Sequence, residues 1–275
     1  MRSPWDNRIA RAAELSRKHP EAAELLDFYG RLAAYQKTIF DEIMKSGTTD
    51  PTALSHYFPQ LREIVERHGP APAVEYARDH LRTRQAVDDF LLAHWDDPNP
   101  DAANSAGASL EVASSAAASS EAPLLSDVFG RFYARVLLQP FAEALATRGA
   151  PASSAPTGIC PFCGARAMAA VLRGEGDGAK RFLLCSLCAT EWEFLRIRCP
   201  GCDEANKDNL PVFTAEDFDY IRVEACDTCK VYLKSIDLTK NGLAVPVADE
   251  LASVSLNVWA EEHGYSKYEP NLLEL

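Results

Sequence analysis

Large apolar side chains recur along the first third of the chain at steps of three and four, the period of a helix with one buried face. This pattern dominates from Ile9 to about residue 97. It is clearest from Glu21 to Ser46, where Leu25, Phe28, Leu32, Tyr35, Ile39 and Ile43 form one stripe, Pro20 suits the first turn and Gly47 the end. Further helices are expected at Leu61 to His68, stopped by Gly69-Pro70, and at Val74 to Trp95, stopped near Pro98. Residues 99–123 turn to Asn, Ala, Ser and Gly, too little burial to offset the entropy of ordering, and read as a flexible loop. The helical period resumes from Leu124 to Arg148, with a kink or break expected where Pro140 removes a backbone donor. A polar linker over 151–158 closes a helical domain of residues 1–150.

Beyond residue 159 the apolar positions come in short extended runs. Arg181 to Leu184 and Tyr220 to Val223 read as strands, each answered by another run, Glu191 to Ile197 and Val231 to Ile236. Gly174-Glu175-Gly176-Asp177-Gly178 lacks the Lys-Ser/Thr of a phosphate loop and reads as a hairpin turn between strands. Val247, Leu251, Val254 and Val258 mark a C-terminal helix ended by Gly264.

The same region holds all eight cysteines, and every one falls into a CxxC pair: Cys160/Cys163, Cys185/Cys188, Cys199/Cys202 and Cys226/Cys229. A CxxC knuckle aims two thiolates at one point, and two knuckles complete a tetrahedral sulfur cage suited to zinc or rubredoxin-type iron. The first Cys of each proposed unit recurs after 39 residues, and only ten residues separate Cys188 from Cys199, too few for the strand, turn and strand that the longer intervals allow. Consecutive pairing is therefore the simplest: Cys160, Cys163, Cys185 and Cys188 in one unit (159–197), and Cys199, Cys202, Cys226 and Cys229 in the next (198–240), with interleaved pairing open. Gly164 and Asp203 can take the left-handed turn that ends a knuckle, whereas Ala189 and Lys230 specify it less well. The fold class expected is α+β, an N-terminal all-α helical domain followed by tandem rubredoxin-like or zinc-ribbon metal-binding units and a C-terminal helix.

Composition narrows the function. A formal charge of -12 repels nucleic acid and anionic lipid. The N-terminal segment has no apolar signal-like run, and no stretch approaches the roughly 18–20 apolar residues of a bilayer span, so a cytoplasmic protein without membrane insertion is expected. No catalytic motif is found: H-E-x-x-H, G-x-S-x-G and G-K-S/T are all absent. His94 among Asp88, Asp89, Asp96 and Asp97 reads as an acidic helix end, and four thiolates per metal leave no open position for hydrolysis. Trp192 is either a docking aromatic or a lid closing over its knuckle, and Tyr232 stands in the matching place of the second unit.

These residues resemble the FdhE family, accessory proteins for formate dehydrogenase formation. The resemblance rests on Cys160-Pro-Phe-Cys-Gly, Cys185-Ser-Leu-Cys-Ala-Thr-Glu-Trp, Arg196-Ile-Arg-Cys-Pro-Gly-Cys and Glu224-Ala-Cys-Asp-Thr-Cys-Lys-Val-Tyr-Leu-Lys. It continues through Val247-Ala-Asp-Glu-Leu-Ala-Ser and Glu262-His-Gly-Tyr-Ser to Asn271, while upstream only His19-Pro and Tyr35-Gln are similar. Glu193 stands where the family is expected to carry His. The resemblance implies a cytoplasmic maturation factor without turnover of its own, bound to the catalytic subunit of respiratory formate dehydrogenase. It also implies two metal ions held by the eight cysteines, iron favoured and zinc the alternative, with Thr190, Glu191 and Trp192 as candidates for partner binding. The apolar face of the C-terminal helix leaves a homodimer open. Two competing readings are a rubredoxin-like electron carrier acting on a metalloenzyme and a zinc-ribbon adaptor for nucleic acid; a thiol-disulfide enzyme would need one CxxC free of metal.

Overall fold

The computed structural model describes residues 3–98, 121–149, 157–176 and 178–275. The chain is α+β, and its contacts divide it into two compact units, Met1–Thr49 with Gln139–Leu275 and Asp50–Leu138. That division differs from the boundary near residue 150 suggested by composition, because the first two helices pack on the C-terminal helix Pro246–Ala252. Most of the loop expected over 99–123 and of the linker over 151–158 lies outside the described residues.

In the first unit, α1 (Pro4–Lys18) begins earlier than the apolar pattern suggests, because Ser3 and Asp6 form a reciprocal capping box that satisfies the first amides. After a single turn at Pro20–Ala22, α2 (Ala23–Ser46) runs to Gly47, whose φ of 74° closes the helix. Its buried stripe starts at Leu26 and Tyr29 rather than at Leu25 and Phe28, and joins the expected face from Leu32 onward. The seam between α1 and α2 buries Trp5, Ala12, Leu15, Leu26 and Leu32.

The second unit holds a short turn at Pro51–Tyr57, α3 (Phe58–His68), α4 (Ala71–His80), α5 (Arg84–Asp96) and the N-terminal part of α6 (Glu121–Arg148). The helix expected over Val74–Trp95 is thus two helices. Thr83 starts the second by accepting the Ala86 amide on its hydroxyl, a cap hidden within a continuous apolar pattern. Tyr133 stacks on Tyr76 and donates its hydroxyl to the Ala73 carbonyl (3.0 Å). No break occurs at Pro140. Every residue from Phe132 to Ala142 is buried, and burial on all sides holds the helix through a proline that costs about 3 kcal/mol in an exposed one.

The C-terminal strands form one sheet rather than two separate ribbons. β1 (Ala167–Glu175) and β2 (Gly178–Cys185) make the expected hairpin, and β3 (Glu191–Glu193) extends it. β4 (Val212–Thr214), β5 (Ile221–Ala225) and β6 (Val231–Asp237) form the second set. β1 and β6 pair in parallel, giving the order β3-β2-β1-β6-β5-β4, while the short β7 (Ser266–Lys267) pairs with the start of β6.

The C-terminal helix is interrupted at Ser253 into α7 (Pro246–Ala252) and α8 (Val254–Glu262). Leu251, Leu256 and Ala260 are buried, whereas Val258, read as part of the apolar face, is 53% exposed. The interruption has a partner inside the core. Lys234 of β6, wholly buried, donates to the carbonyls of Glu250 (2.6 Å) and Ser253 (3.2 Å), satisfying the end of α7. Its ammonium also lies 2.8 Å from the Glu250 carboxylate, which Lys267 and Asn271 reach as well (2.5 and 2.7 Å). A second buried pair joins the two ends of the chain. Arg11 of α1 grips Asp249 of α7 through Nε and Nη2 (3.0 and 2.6 Å), and Asp249 also accepts the Tyr220 hydroxyl and the Val245 amide (2.7 Å each).

Arg11→Met is expected to lower unfolding stability by about 3 kcal/mol or more, because it leaves the Asp249 carboxylate buried without its cation; a shift in the denaturant midpoint measures it. Acid should act through Glu250. Burial pushes this carboxyl up, but the ammonium groups of Lys234 and Lys267 outweigh burial and hold it at about 2. Burial lowers Lys234 to about 7, so it stays charged across the range where Glu250 titrates. A depressed folded pKa contributes stability above the ordinary carboxylate range, and that contribution, about 3 kcal/mol, should be lost as pH falls from about 4.5 to 2. Chemical denaturation across that range is the measurement.

Candidate metal centres

The eight cysteines gather into two groups of four, taken consecutively: Cys160, Cys163, Cys185 and Cys188, then Cys199, Cys202, Cys226 and Cys229. Within each, all the sulfurs lie within 4.8 Å of one another. The closest cross-knuckle pairs are Cys163–Cys185 (3.4 Å) and Cys160–Cys188 (3.5 Å) in the first, and Cys199–Cys229 and Cys202–Cys226 (3.6 Å each) in the second. These separations are far longer than a disulfide bond of about 2.05 Å. They fit a tetrahedron instead: metal–sulfur bonds of about 2.3 Å put ligand sulfurs about 3.8 Å apart. The donor set and the spacing both suit zinc or rubredoxin-type iron.

All four knuckles share one backbone design. The amide of the first Cys donates to the carbonyl five residues on: Cys160 to Ala165, Cys185 to Thr190, Cys199 to Glu204 and Cys226 to Val231, at 2.9–3.0 Å. The residue between is left-handed in every case, Gly164 at φ 78°, Ala189 at 51°, Asp203 at 62° and Lys230 at 58°. Ala189 and Lys230, the two that specify this turn poorly, adopt it because the sulfur cage over-determines the knuckle. Amides turned inward approach the sulfurs, Phe162 to Cys160 (3.4 Å), Leu187 to Cys185 (3.3 Å) and Gly201 to Cys199 (3.3 Å), and each N–H favours a thiolate over a thiol.

The cages differ in exposure. In the first only Cys163 is partly exposed, whereas in the second Cys202 is exposed and Cys229 partly so. Burial pushes the Cys185 thiol up and that of Cys199 to about 11, so both keep a proton until a metal displaces it. Within the first cage S–H donation from Cys163, Cys185 and Cys188 pulls Cys160 down.

In the second and third knuckles the residue five after the first Cys also supplies a brace. The Thr190 hydroxyl lies 3.1 Å from Cys188 Sγ. Glu204 accepts from the Thr228 hydroxyl (2.5 Å) and the Asn209 amide (2.9 Å), clasping the fourth knuckle to the third, and these hydrogen bonds hold its carboxyl down at about 2. Sequence reasoning overlooks Glu204, because its counterpart 39 residues earlier is Ala165 and the repeat gives no signal for it. Of the docking candidates, Trp192 is only 7% exposed and gives its indole N–H to the Thr157 carbonyl (2.8 Å), a brace across the entry to the first knuckle. Glu191 accepts both arms of Arg173 (2.7 and 2.8 Å). Glu193 is exposed, with Lys180 at 3.3 Å.

Residues 159–196 match the family described as FdhE, central domain, and residues 197–274 match FdhE, C-terminal domain, so the two families meet between the cages. Residues 159–274 thus match two domains of FdhE. It is 28% identical to the Protein FdhE homolog of Aquifex aeolicus across 96% of this chain and 93% of that one. It is 40% identical to the Pseudomonas putida homolog, over 42% of this chain and 37% of the relative. The crystal structure of the FdhE protein from Pseudomonas aeruginosa shares the fold, with a TM-score of 0.65 over 99% of this chain and 97% of that one at 23% identity. Among the described residues, no helix is long and apolar enough to cross a membrane.

Each cage should hold one metal ion. Cys160→Ala and Cys226→Ala are each expected to lower bound metal from two per chain to one, with a fall in melting temperature, as read by elemental analysis and calorimetry. Full metal content with a native melting profile in either variant would remove the four-thiolate assignment.

Proposed function

We propose that this FdhE-family protein is a non-catalytic accessory protein for respiratory formate dehydrogenase, acting in the cytoplasm by binding the enzyme's catalytic subunit during assembly. The carrying observation is the pair of four-sulfur cages inside a chain that aligns with a family homolog almost end to end. A metal held by four thiolates has no position for substrate, which favours a structural or one-electron role over hydrolysis. The eight cysteines serve as ligands, with iron favoured over zinc. Nucleic acid is disfavoured as a partner by the charge of -12.

One observation favours a second reading, electron transfer to the partner. Cys202 is exposed, so iron in the second cage would lie within reach of a docked protein. The test is affinity capture of the tagged protein from its own cells growing anaerobically on formate, with bound proteins identified by mass spectrometry and metal measured on the same sample. Stoichiometric recovery of the catalytic subunit, lost in Cys160→Ala, is the expected result. Recovery of reducible iron without that subunit would replace the chaperone by the electron carrier.

A further inference from the structure

Along β5, buried Ile221, Val223 and Ala225 alternate with half-buried Arg222 and Glu224, which therefore lie on the other face of the strand. There they line a cavity of about 190 Å³ that reaches Cys199 and Cys226 of the second cage. Arg181, Arg196, Arg198 and Lys207 line it too, so five cations face the single carboxylate of Glu224, on a chain of charge -12.

The cations are unequally committed. Arg181 pairs with Glu224 (2.8 Å) and donates to the Leu195 and Arg198 carbonyls (3.0 and 3.1 Å), pinning the segment between β3 and the third knuckle to the sheet. Arg222 must share the same Glu224 at 3.7 Å, and Arg198 is drawn off by Asp203 (2.8 Å). Arg196 has only the Ala179 carbonyl (3.1 Å), and neither it nor Lys207 has a carboxylate within ion-pair range among the described residues. The Nε atoms of Arg181 and Arg222 are buried without an acceptor among the described residues, an arrangement that costs free energy unless something supplies one. Beside this unsatisfied positive charge stand three apolar side chains in water, Leu195 (52% exposed), Ile197 (55%) and Val212 (53%).

Resting on the reading that the protein binds a partner subunit, we infer that this cavity is where the subunit docks, seating an acidic side chain whose apolar neighbours cover Leu195, Ile197 and Val212. The cavity falls below the roughly 300–1,000 Å³ of small-molecule sites but suits a single side chain. A free anion would answer the charge and leave the apolar rim wet. A polypeptide answers both, and Val212 lies on β4, the last strand in the sheet order, which pairs only with β5 among the described residues and so offers an edge to an extended segment.

The test compares capture of the formate dehydrogenase catalytic subunit by wild type, by Arg196→Glu/Lys207→Glu, by the milder Arg196→Ala/Lys207→Ala, and by Arg62→Glu/Arg67→Glu on α3 as a charge control. Arg196 and Lys207 are both exposed, and metal content with melting temperature reports whether each variant folds. Capture should fall at least about tenfold in the Glu pair and severalfold in the Ala pair, with metal retained and the α3 control unchanged. Equal capture by wild type and both cavity variants overturns this site while leaving the accessory function standing, as does an equal loss in the control. If wild type captures no such subunit, the accessory function falls and this site with it.

Discussion

Four thiols held within 4.8 Å of one another are the constraint on which the C-terminal half depends. Once deprotonated, four sulfurs that close repel strongly, and only a cation at their centre lets them remain. A bound metal then supplies folding free energy of about 10 kcal/mol or more per structural site, on zinc-finger precedent. That is comparable with the whole stability of a typical domain. Metal binding would account for left-handed backbone at Ala189 and Lys230, and for a strand of only three residues at Glu191–Glu193. Each knuckle is closed by the same amide-to-carbonyl bond five residues on, so the backbone offers the sulfurs from a fixed platform.

Metal binding at the cages would leave the sheet uncovered, and the helices cover it. Leu251, Leu256 and Ala260 come from the C-terminal pair of helices, while α1 and α2 close over α7 with Arg11 inserted against Asp249. Several buried charges here are matched: Arg8 with Glu143, Arg11 with Asp249, Lys234 and Lys267 with Glu250. Such pairs stabilise less than apolar packing of equal volume would, but losing one partner is costly. They consequently fix which helix meets which strand more than they deepen the energy well.

The site was far more legible in the sequence than the packing around it. Cysteine spacing encodes a cage directly, because two residues between ligands set the knuckle and the interval to the next knuckle leaves room for a hairpin; the hairpin of β1 and β2 was legible from a glycine-rich stretch between two extended runs. Helical periodicity, by contrast, marks an apolar face without marking where a helix stops. Thr83 and Ser253 divide apolar runs that read as continuous, the first by capping a new helix and the second because Lys234, distant in sequence, captures the carbonyls of the helix before it. Pro140 misleads in the opposite sense, since burial on every side outweighs one missing donor. Nothing local in Arg11 or Asp249 announces a partner 238 residues away.

The two cages, built from one repeat, have diverged in their surroundings. The first is the less exposed, with Cys160, Cys185 and Cys188 buried and Cys163 partly exposed. The second leaves Cys202 exposed and abuts five cations, so its field differs from that of the rest of an acidic molecule. Positive charge beside a thiolate centre stabilises the more negative form of that centre, and it also draws a carboxylate-bearing surface toward the same place. An enclosed cage suits a purely structural metal. An exposed one beside a cavity lined by five cations is the more accessible of the two, which is why the proposed docking site falls on the second unit.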